Sequence, residues 1–154
     1  MGTSQPRWTP HTTVAAIIEQ DGRFLLVEER DAGKQVFNQP AGHLEAGESL
    51  IAAVHREVWE ETGLKFTPQF LIGIYRWQRD TVSPCYLRFL FGGMVETDPD
   101  ARPHDDAIIA SHWLRRDDLL SLPLRSPLVL RGIDDYLVGR RYDLALLQEP
   151  AAET

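Results

Sequence analysis

Residues 42–64 read GHLEAGESLIAAVHREVWEETGL, and this stretch decides how the rest of the chain is read. From Ser49 to Thr62 the apolar residues Ile51, Val54 and Val58 recur at helical spacing, and Gly63 stands just beyond Thr62 as a stop. The spacing predicts a helix over 49–62. On it Glu57, Glu60 and Glu61 stand at i, i+3 and i+4, so three carboxylates share an arc of about 100°. Like charges so placed destabilise an isolated helix by roughly 0.2–0.5 kcal/mol per pair, and a divalent cation would offset the repulsion. All-oxygen ligands with no Cys or His cluster beside them suit Mg²⁺, with Mn²⁺ as a substitute, rather than zinc. Taken without the residues around them, the three glutamates would read as a solvated acidic face.

Outward from the helix, the chain alternates strand signals with turns. Residues 1–11, with two prolines, read as a flexible lead-in. Thr13 to Ile18 and Arg23 to Glu28 form a hairpin around Asp21-Gly22. Between Glu29 and Gly47 no period is sustained, and Gly33, Pro40, Gly42 and Gly47 punctuate the segment, which reads as a functional loop. Gln69 to Trp77, Tyr86 to Val95 and Ile108 to Leu114 are strand-like, 117–121 a short helix, and Pro127 to Val138 a closing helix ended by Gly139. A single domain over 12–149 with a tail at 150–154 is expected.

Composition sets the class of partner. The 154 residues carry a net charge of -7, which argues against a sequence-independent grip on polymeric nucleic acid. Cys85 is the one cysteine, so no intrachain disulfide forms, and a cytoplasmic protein is expected. No stretch approaches the ~20 apolar residues of a membrane span, and the start lacks the apolar run of a signal peptide. A small-molecule substrate, no membrane, and a monomer or homodimer follow as expectations.

The order Gly42, five residues, Glu48, seven residues, then Arg56-Glu57-Val58-Trp59-Glu60-Glu61-Thr62-Gly63-Leu64 resembles the complete signature of the Nudix hydrolase family. At average residue frequencies its specified positions would coincide by chance with a probability on the order of one in a billion. The resemblance implies an α/β fold, the Nudix α/β/α sandwich with a mixed β-sheet and a catalytic loop-helix. It also implies a metal site of Glu57, Glu60, Glu61 and the backbone carbonyl near Gly42, with Glu57, Glu60 and Arg56 catalytic and Glu48 supporting. Because Arg56 precedes Glu57 by one residue, the two are not expected to share a direction, and Arg56 is expected to anchor the loop through Glu48. The implied reaction is in-line attack of water on a diphosphate phosphorus, with Glu57 as first choice of base.

Three further segments, Phe37 to Glu45, Leu87 to Phe91 and Leu124 to Val129, resemble the NudJ-type phosphatases of that family. That resemblance implies nucleoside di- and triphosphates, or the hydroxymethylpyrimidine diphosphate of thiamine biosynthesis, as the substrate class. One departure stands out: many relatives have an acid six residues before the tryptophan matched by Trp113, where this chain has Ala107. Asp105 and Asp106 are the nearest substitutes, as a base or an outer ligand, although Asp in such a loop also serves as a turn former. Arg88, in an apolar strand, and Lys34 are candidates for phosphate contact, with an internal salt bridge as the alternative. Phe37, Tyr75 and Trp77 offer faces for a heteroaromatic ring, and at least two of them are expected in the core. His43 and His104 are expected to hydrogen-bond or lie on the surface rather than catalyse.

Two rivals stay open at this point. A catalytically silent binding or regulatory module would keep the fold, yet has no need of three crowded carboxylates. An isomerase of prenyl diphosphates would want a cysteine acid and a longer chain, and Cys85 reads more simply as core.

Overall fold

Two tight turns of one kind launch the architecture. In the computed structural model, which describes residue 2 and residues 4–150, β1 (His11–Gln20) turns through Asp21-Gly22 into β2 (Arg23–Asp31). Strand β2 then turns through Ala32-Gly33 into β3 (Lys34–Asn38). Both turns have positive φ at both central residues, 52° and 76° in the first, 49° and 80° in the second. This is the geometry that matches the twist of the flanking strands. The segment 29–47 is therefore not all loop: it finishes β2 and contains β3 and the short β4 (Ala41–His43). Ala-Gly is a poor turn signature, and β3 and β4 are too short to show a period, so their pairing rather than their own pattern makes them strands. The lead-in is one residue shorter than expected, since β1 begins at His11. Of the expected tail, 151–154 lie outside the described residues.

The remaining strands are β5 (Phe66–Gln78), β6 (Cys85–Val95) and β7 (Ile108–Leu114). Strand β1 runs parallel to β6, from His11 opposite Tyr86 to Ile18 opposite Gly93, while β5 and β6 form a long antiparallel pair. The sheet is thus mixed. Strands β1 and β2 touch only beside their turn, at Glu19 opposite Phe24 and Gln20 opposite Arg23. Beyond it they part, β1 pairing with β4 and β2 with β7. Two half-sheets, β4-β1-β6-β5 and β7-β2-β3, diverge from that hinge and leave a wedge between them.

Helices cover both faces. Helix α1 (Leu50–Thr62) is capped by Ser49, whose Oγ accepts the Ala52 N–H at 3.0 Å, and ends at Gly63, left-handed at φ 74°. A Cβ on Gly63 would strike the backbone of Arg102, so that stop is required for space as well. The apolar side of α1, Ala53, Val54 and Val58, packs on Val14, Ala16, Ile18, Leu71 and Phe91. Helix α2 (Leu128–Leu137) puts Val129 and Ile133 on the opposite face, against Ala15, Ile17, Ile72 and Leu90. Strand β1 is buried on both sides, which is why it reads as an unbroken apolar run; each such branched side chain contributes roughly 1.5–3 kcal/mol.

The expected helix at 117–121 is a 3-10 turn, Arg116–Ser121, and a second 3-10 turn at Leu144–Leu146 was not expected. The chain past α2 returns to α1: Tyr142 bridges to Leu71, Leu144 and Leu147 lie on the α1 side of the core, and Glu149 Oε1 accepts the Leu50 N–H at 2.7 Å. Cys85 is buried. Phe37, Tyr75 and Trp77 are all only half-buried, against the expectation that two would be core. Phe37 lies on an edge strand, Tyr75 needs a partner for its hydroxyl and donates to Asp135 Oδ2 at 2.7 Å, and Trp77 borders a cavity. Among the described residues no helix is long and apolar enough to cross a membrane.

Candidate active site

The wedge is where α1 meets β4. The i, i+4 pair Glu57 and Glu61 turns into it, 7% and 4% exposed, whereas the Glu60 side chain stays at the rim, 38% exposed. Glu61 Oε2 accepts the Ala41 N–H at 3.1 Å. The Glu57 carboxylate lies against Gly42 on the side where any other residue would carry its Cβ. Strand β4, placed by its pairing with Thr13 to Ala15, therefore presents a bare backbone edge to two buried carboxylates.

Arg56 ties this arrangement to the preceding loop. Its Nε and Nη2 donate to the two oxygens of Glu48 at 3.0 and 2.6 Å, and Nη2 also donates to His43 O at 2.9 Å. Glu48 in turn accepts the Glu45 N–H at 2.8 Å, closing the turn before the helix. Contrary to expectation, Arg56 also reaches its neighbour: Nη1 donates to Glu57 Oε1 at 2.7 Å and to Glu60 Oε2 at 3.2 Å. Cβ directions one residue apart differ by about 100°, but a guanidinium has the length to bend back.

The electrostatics are lopsided. Hydrogen bonding to Arg56 holds the Glu48 carboxyl below its ordinary value. Burial pushes Glu57 up in spite of Arg56, and pushes Glu61 well up, with the charges of Glu29, Glu57 and Asp105 adding to the effect and the Ala41 N–H opposing it. Two near-buried carboxylates with a surplus of negative charge fit a hard divalent cation, and the missing Cβ of Gly42 is what lets the Glu57 carboxylate take this position. Among the described residues no three acidic or imidazole side chains converge as a ready-made cage, and Arg56 engages both Glu57 and Glu60.

The loop before β7 is pinned to the end of α1. Both the His104 and Asp105 N–H groups donate to Glu60 O, at 2.7 and 3.0 Å, and the His104 ring stacks on Trp59 at 3.9 Å. Asp105 is exposed and its Oδ1 accepts the Ala107 N–H at 2.8 Å; Asp106 is exposed.

A cavity of about 320 Å³ adjoins Gly42 and His43. Trp77 and Arg88 border it; Lys34 and Phe37 do not, Lys34 lying exposed at the start of β3 and the Phe37 ring lying 5.6 Å from that of His112. His43 borders the cavity 3.3 Å from His11, and burial lowers its pKa. Sequence reasoning missed Glu29, Asn38, Tyr86 and Arg125, all on the cavity wall. Glu29 is buried yet sits in the run Glu28-Glu29-Arg30-Asp31, which reads as a solvated edge; it is set apart by its bond from Arg125 Nη1 at 2.8 Å.

An acidic helix face backed by a glycine strand, in a mixed sheet sandwiched between helices, defines a class of metal-assisted hydrolase. The NUDIX domain family matches residues 9–132, and the chain belongs to that family as a Nudix hydrolase. It is 44% identical to Phosphatase NudJ of Escherichia coli K12 over 139 residues, 90% of each chain. A NUDIX hydrolase structure from Nitrosomonas europaea, 48% identical, superposes with a TM-score of 0.87 over 92% of this chain and 98% of that one. The NUDIX domain of Shewanella oneidensis NrtR, complexed with ADP ribose, shares the fold at 16% identity and a TM-score of 0.72, covering 88% of this chain and 93% of that one.

Proposed function

We propose that this enzyme hydrolyses a phosphoanhydride bond in a nucleoside di- or triphosphate, or in a pyrimidine diphosphate, with Mg²⁺ as resident cation and Mn²⁺ as a substitute. The observation that carries the reading is the pair Glu57 and Glu61, buried together on one helix face with pKa values raised by desolvation. Such a pair is a standing cost to a fold that only binds, and an asset to one that must hold a hard cation. When bound, the cation lowers the pKa of water and neutralises phosphate oxygens.

The chain's own residues do the rest. Glu57, Glu60 and Glu61, with the carbonyl of Gly42, hold the cation. Glu57 is the base in this reading, because burial moves its pKa toward the range where a proton acceptor works best. Arg56 orients Glu57 and, through Glu48 and His43 O, fixes the loop that delivers Gly42. Trp77 offers a ring face and Arg88 a cation to the substrate; Lys34 and Phe37 stand outside the cavity and meet only a substrate that extends past β3. The name phosphatase, carried by the Escherichia coli relative, supports orthophosphate as a product. The compartment consistent with a single buried thiol is the cytoplasm.

The test is release of phosphate and pyrophosphate from nucleoside di- and triphosphates, hydroxymethylpyrimidine diphosphate, dinucleoside polyphosphates and nucleotide sugars, with Mg²⁺ and with chelator. Metal-dependent turnover of one class supports the reading and names the substrate. Ligand-induced stabilisation without turnover of any of them overturns it in favour of a binding module.

A further inference from the structure

Folding sets two imidazoles side by side where the sequence shows no cluster. His11 opens β1 and His43 closes β4, 32 positions apart, yet His11 Nδ1 lies 3.3 Å from His43 Nε2. The register accounts for the meeting: His43 pairs with Thr13, so His11, two residues earlier on the same face of β1, is its diagonal neighbour. The Leu44 N–H donates to Thr12 O at 3.0 Å and holds the two strands together beyond that pair. On the other side of β1, Tyr86 stands opposite His11, its ring 5.6 Å from that of His11 and 6.4 Å from that of His43. Both histidines are exposed, and the torsion that aims an imidazole is a soft one, so their nitrogens are able to converge on a third atom.

The spacing is the one a tetrahedral ion requires. Two nitrogens each about 2.0–2.1 Å from such an ion stand about 3.3–3.4 Å from one another. Neutral imidazole suits Zn²⁺, Cu²⁺ or Ni²⁺ and is a poor ligand for Mg²⁺, which takes oxygen. Successive residues of a strand point to opposite faces, so Gly42 turns toward Glu57 and α1 while His43 turns toward the cavity it borders. The pair is therefore set apart from the carboxylates, one residue further along β4. Arg125, whose charge reaches His43, is already matched by Glu29 at 2.8 Å and faces Asp31 at 3.8 Å, which weakens its repulsion of an incoming ion.

We infer that His11 and His43 form a binding site for a soft divalent ion of the Zn²⁺ class, separate from the acidic helix face, with water completing the ion's shell. Among the described residues no third acidic or imidazole side chain joins them, so the site is open and exchanges its ion, unlike a closed structural site on which a fold depends. An ion held there stands at the cavity edge and fixes the side chain of His43, whose carbonyl accepts from Arg56 Nη2 at 2.9 Å. The inference goes beyond the hydrolase reading and does not rest on it, since it concerns binding alone. The competing role is a plain hydrogen bond between two neutral rings.

The experiment measures Zn²⁺ binding by titration calorimetry, on tag-free protein in excess Mg²⁺, for wild type, His11→Phe, His43→Phe and Glu57→Gln, with circular dichroism on each. Phenylalanine keeps a ring against Tyr86 and removes the ligand; His11→Gln takes its place if a phenylalanine variant does not fold. Loss of a mere second-shell partner costs about 10–100-fold in metal affinity, so loss of one of two ligands should raise the dissociation constant at least that much. Each histidine variant is expected to lose one equivalent of Zn²⁺ that Glu57→Gln keeps. A wild type that binds no Zn²⁺, or folded histidine variants that bind it as wild type does, overturns the inference. So does loss of that equivalent in Glu57→Gln with both histidine variants unaffected, which would put the ion on the acidic helix face.

Discussion

The Glu57 carboxylate fills the space that a Cβ on Gly42 would occupy, so the glycine of β4 and the glutamate of α1 are one fitted unit. Gly42→Ala must push the carboxylate aside, and the displacement needed is of the size that costs about 10²-fold in rate at a positioned site. We expect that loss in kcat/KM with the fold retained, since Gly42 does not have a positive φ. Circular dichroism and turnover on the same preparation check it; near-normal turnover would mean that Glu57 does not act from this position.

Arg56 carries more of the local order than any other side chain at the site, through Glu48, His43 O, Glu57 and Glu60. Removing it in Arg56→Met leaves partly buried carboxylates without their cation, at a cost of about 1–3 kcal/mol. Glu48→Gln loses only one side of the fork and is expected to cost less. Denaturant midpoints in chelator measure both, and equal midpoints for wild type and Arg56→Met would remove the anchoring role.

How much of this was legible follows from where the signals lay. Helix α1 announced both its ends, Ser49 and Gly63, and its three glutamates shared a face by spacing alone. Strands β3 and β4 gave no such sign, because they are short and the turn into β3 uses Ala32, an unusual residue at φ 49°. The burial of Glu29 was hidden for a different reason: a charge becomes buried only through contacts distant in sequence, here Arg125, 96 positions away. The same holds for Glu149, which caps α1 from 99 positions away in the sequence. Arg88 was visible as a charge inside an apolar strand, but its lack of a carboxylate partner belongs to the packing and not to the pattern.

The raised pKa of Glu61 fixes the sign of a pH effect. A carboxyl whose folded value lies above its unfolded one contributes stability that is fully present below the unfolded value and is lost as pH rises through the folded value. Without metal, Glu61→Gln keeps an acceptor for the Ala41 N–H and removes the buried charge, so near neutral pH it is expected to raise Tm by about 2–4 °C. That gain should vanish as pH falls and Glu61 of the wild type becomes protonated. With Mg²⁺ the order should reverse, since only the ionised carboxylate holds the cation. Melting curves across pH, with and without Mg²⁺, test this; a Glu61→Gln variant less stable than wild type in chelator at neutral pH would show that the glutamate is otherwise compensated.

Two acids compete for the role of base, and their settings differ enough to separate them. Asp105 is exposed, its Oδ1 is engaged by the Ala107 N–H, and its backbone serves to pin the loop to Glu60 O. Glu57 is nearly buried, has a raised pKa and is oriented by Arg56. A positioned base contributes about 10²–10⁴-fold, so Glu57→Gln should lose that much in kcat together with the acid limb of the pH-rate profile. Asp105→Asn, whose amide oxygen still accepts from Ala107, should lose less than about tenfold and keep the limb. Glu60→Gln should lose turnover through metal affinity alone, and most of that loss should return at high Mg²⁺, whereas the loss in Glu57→Gln, which removes a ligand and the base together, should return only in part. If Asp105→Asn removes the acid limb while Glu57→Gln keeps it, the base lies on the loop before β7, and Glu57 is a metal ligand alone.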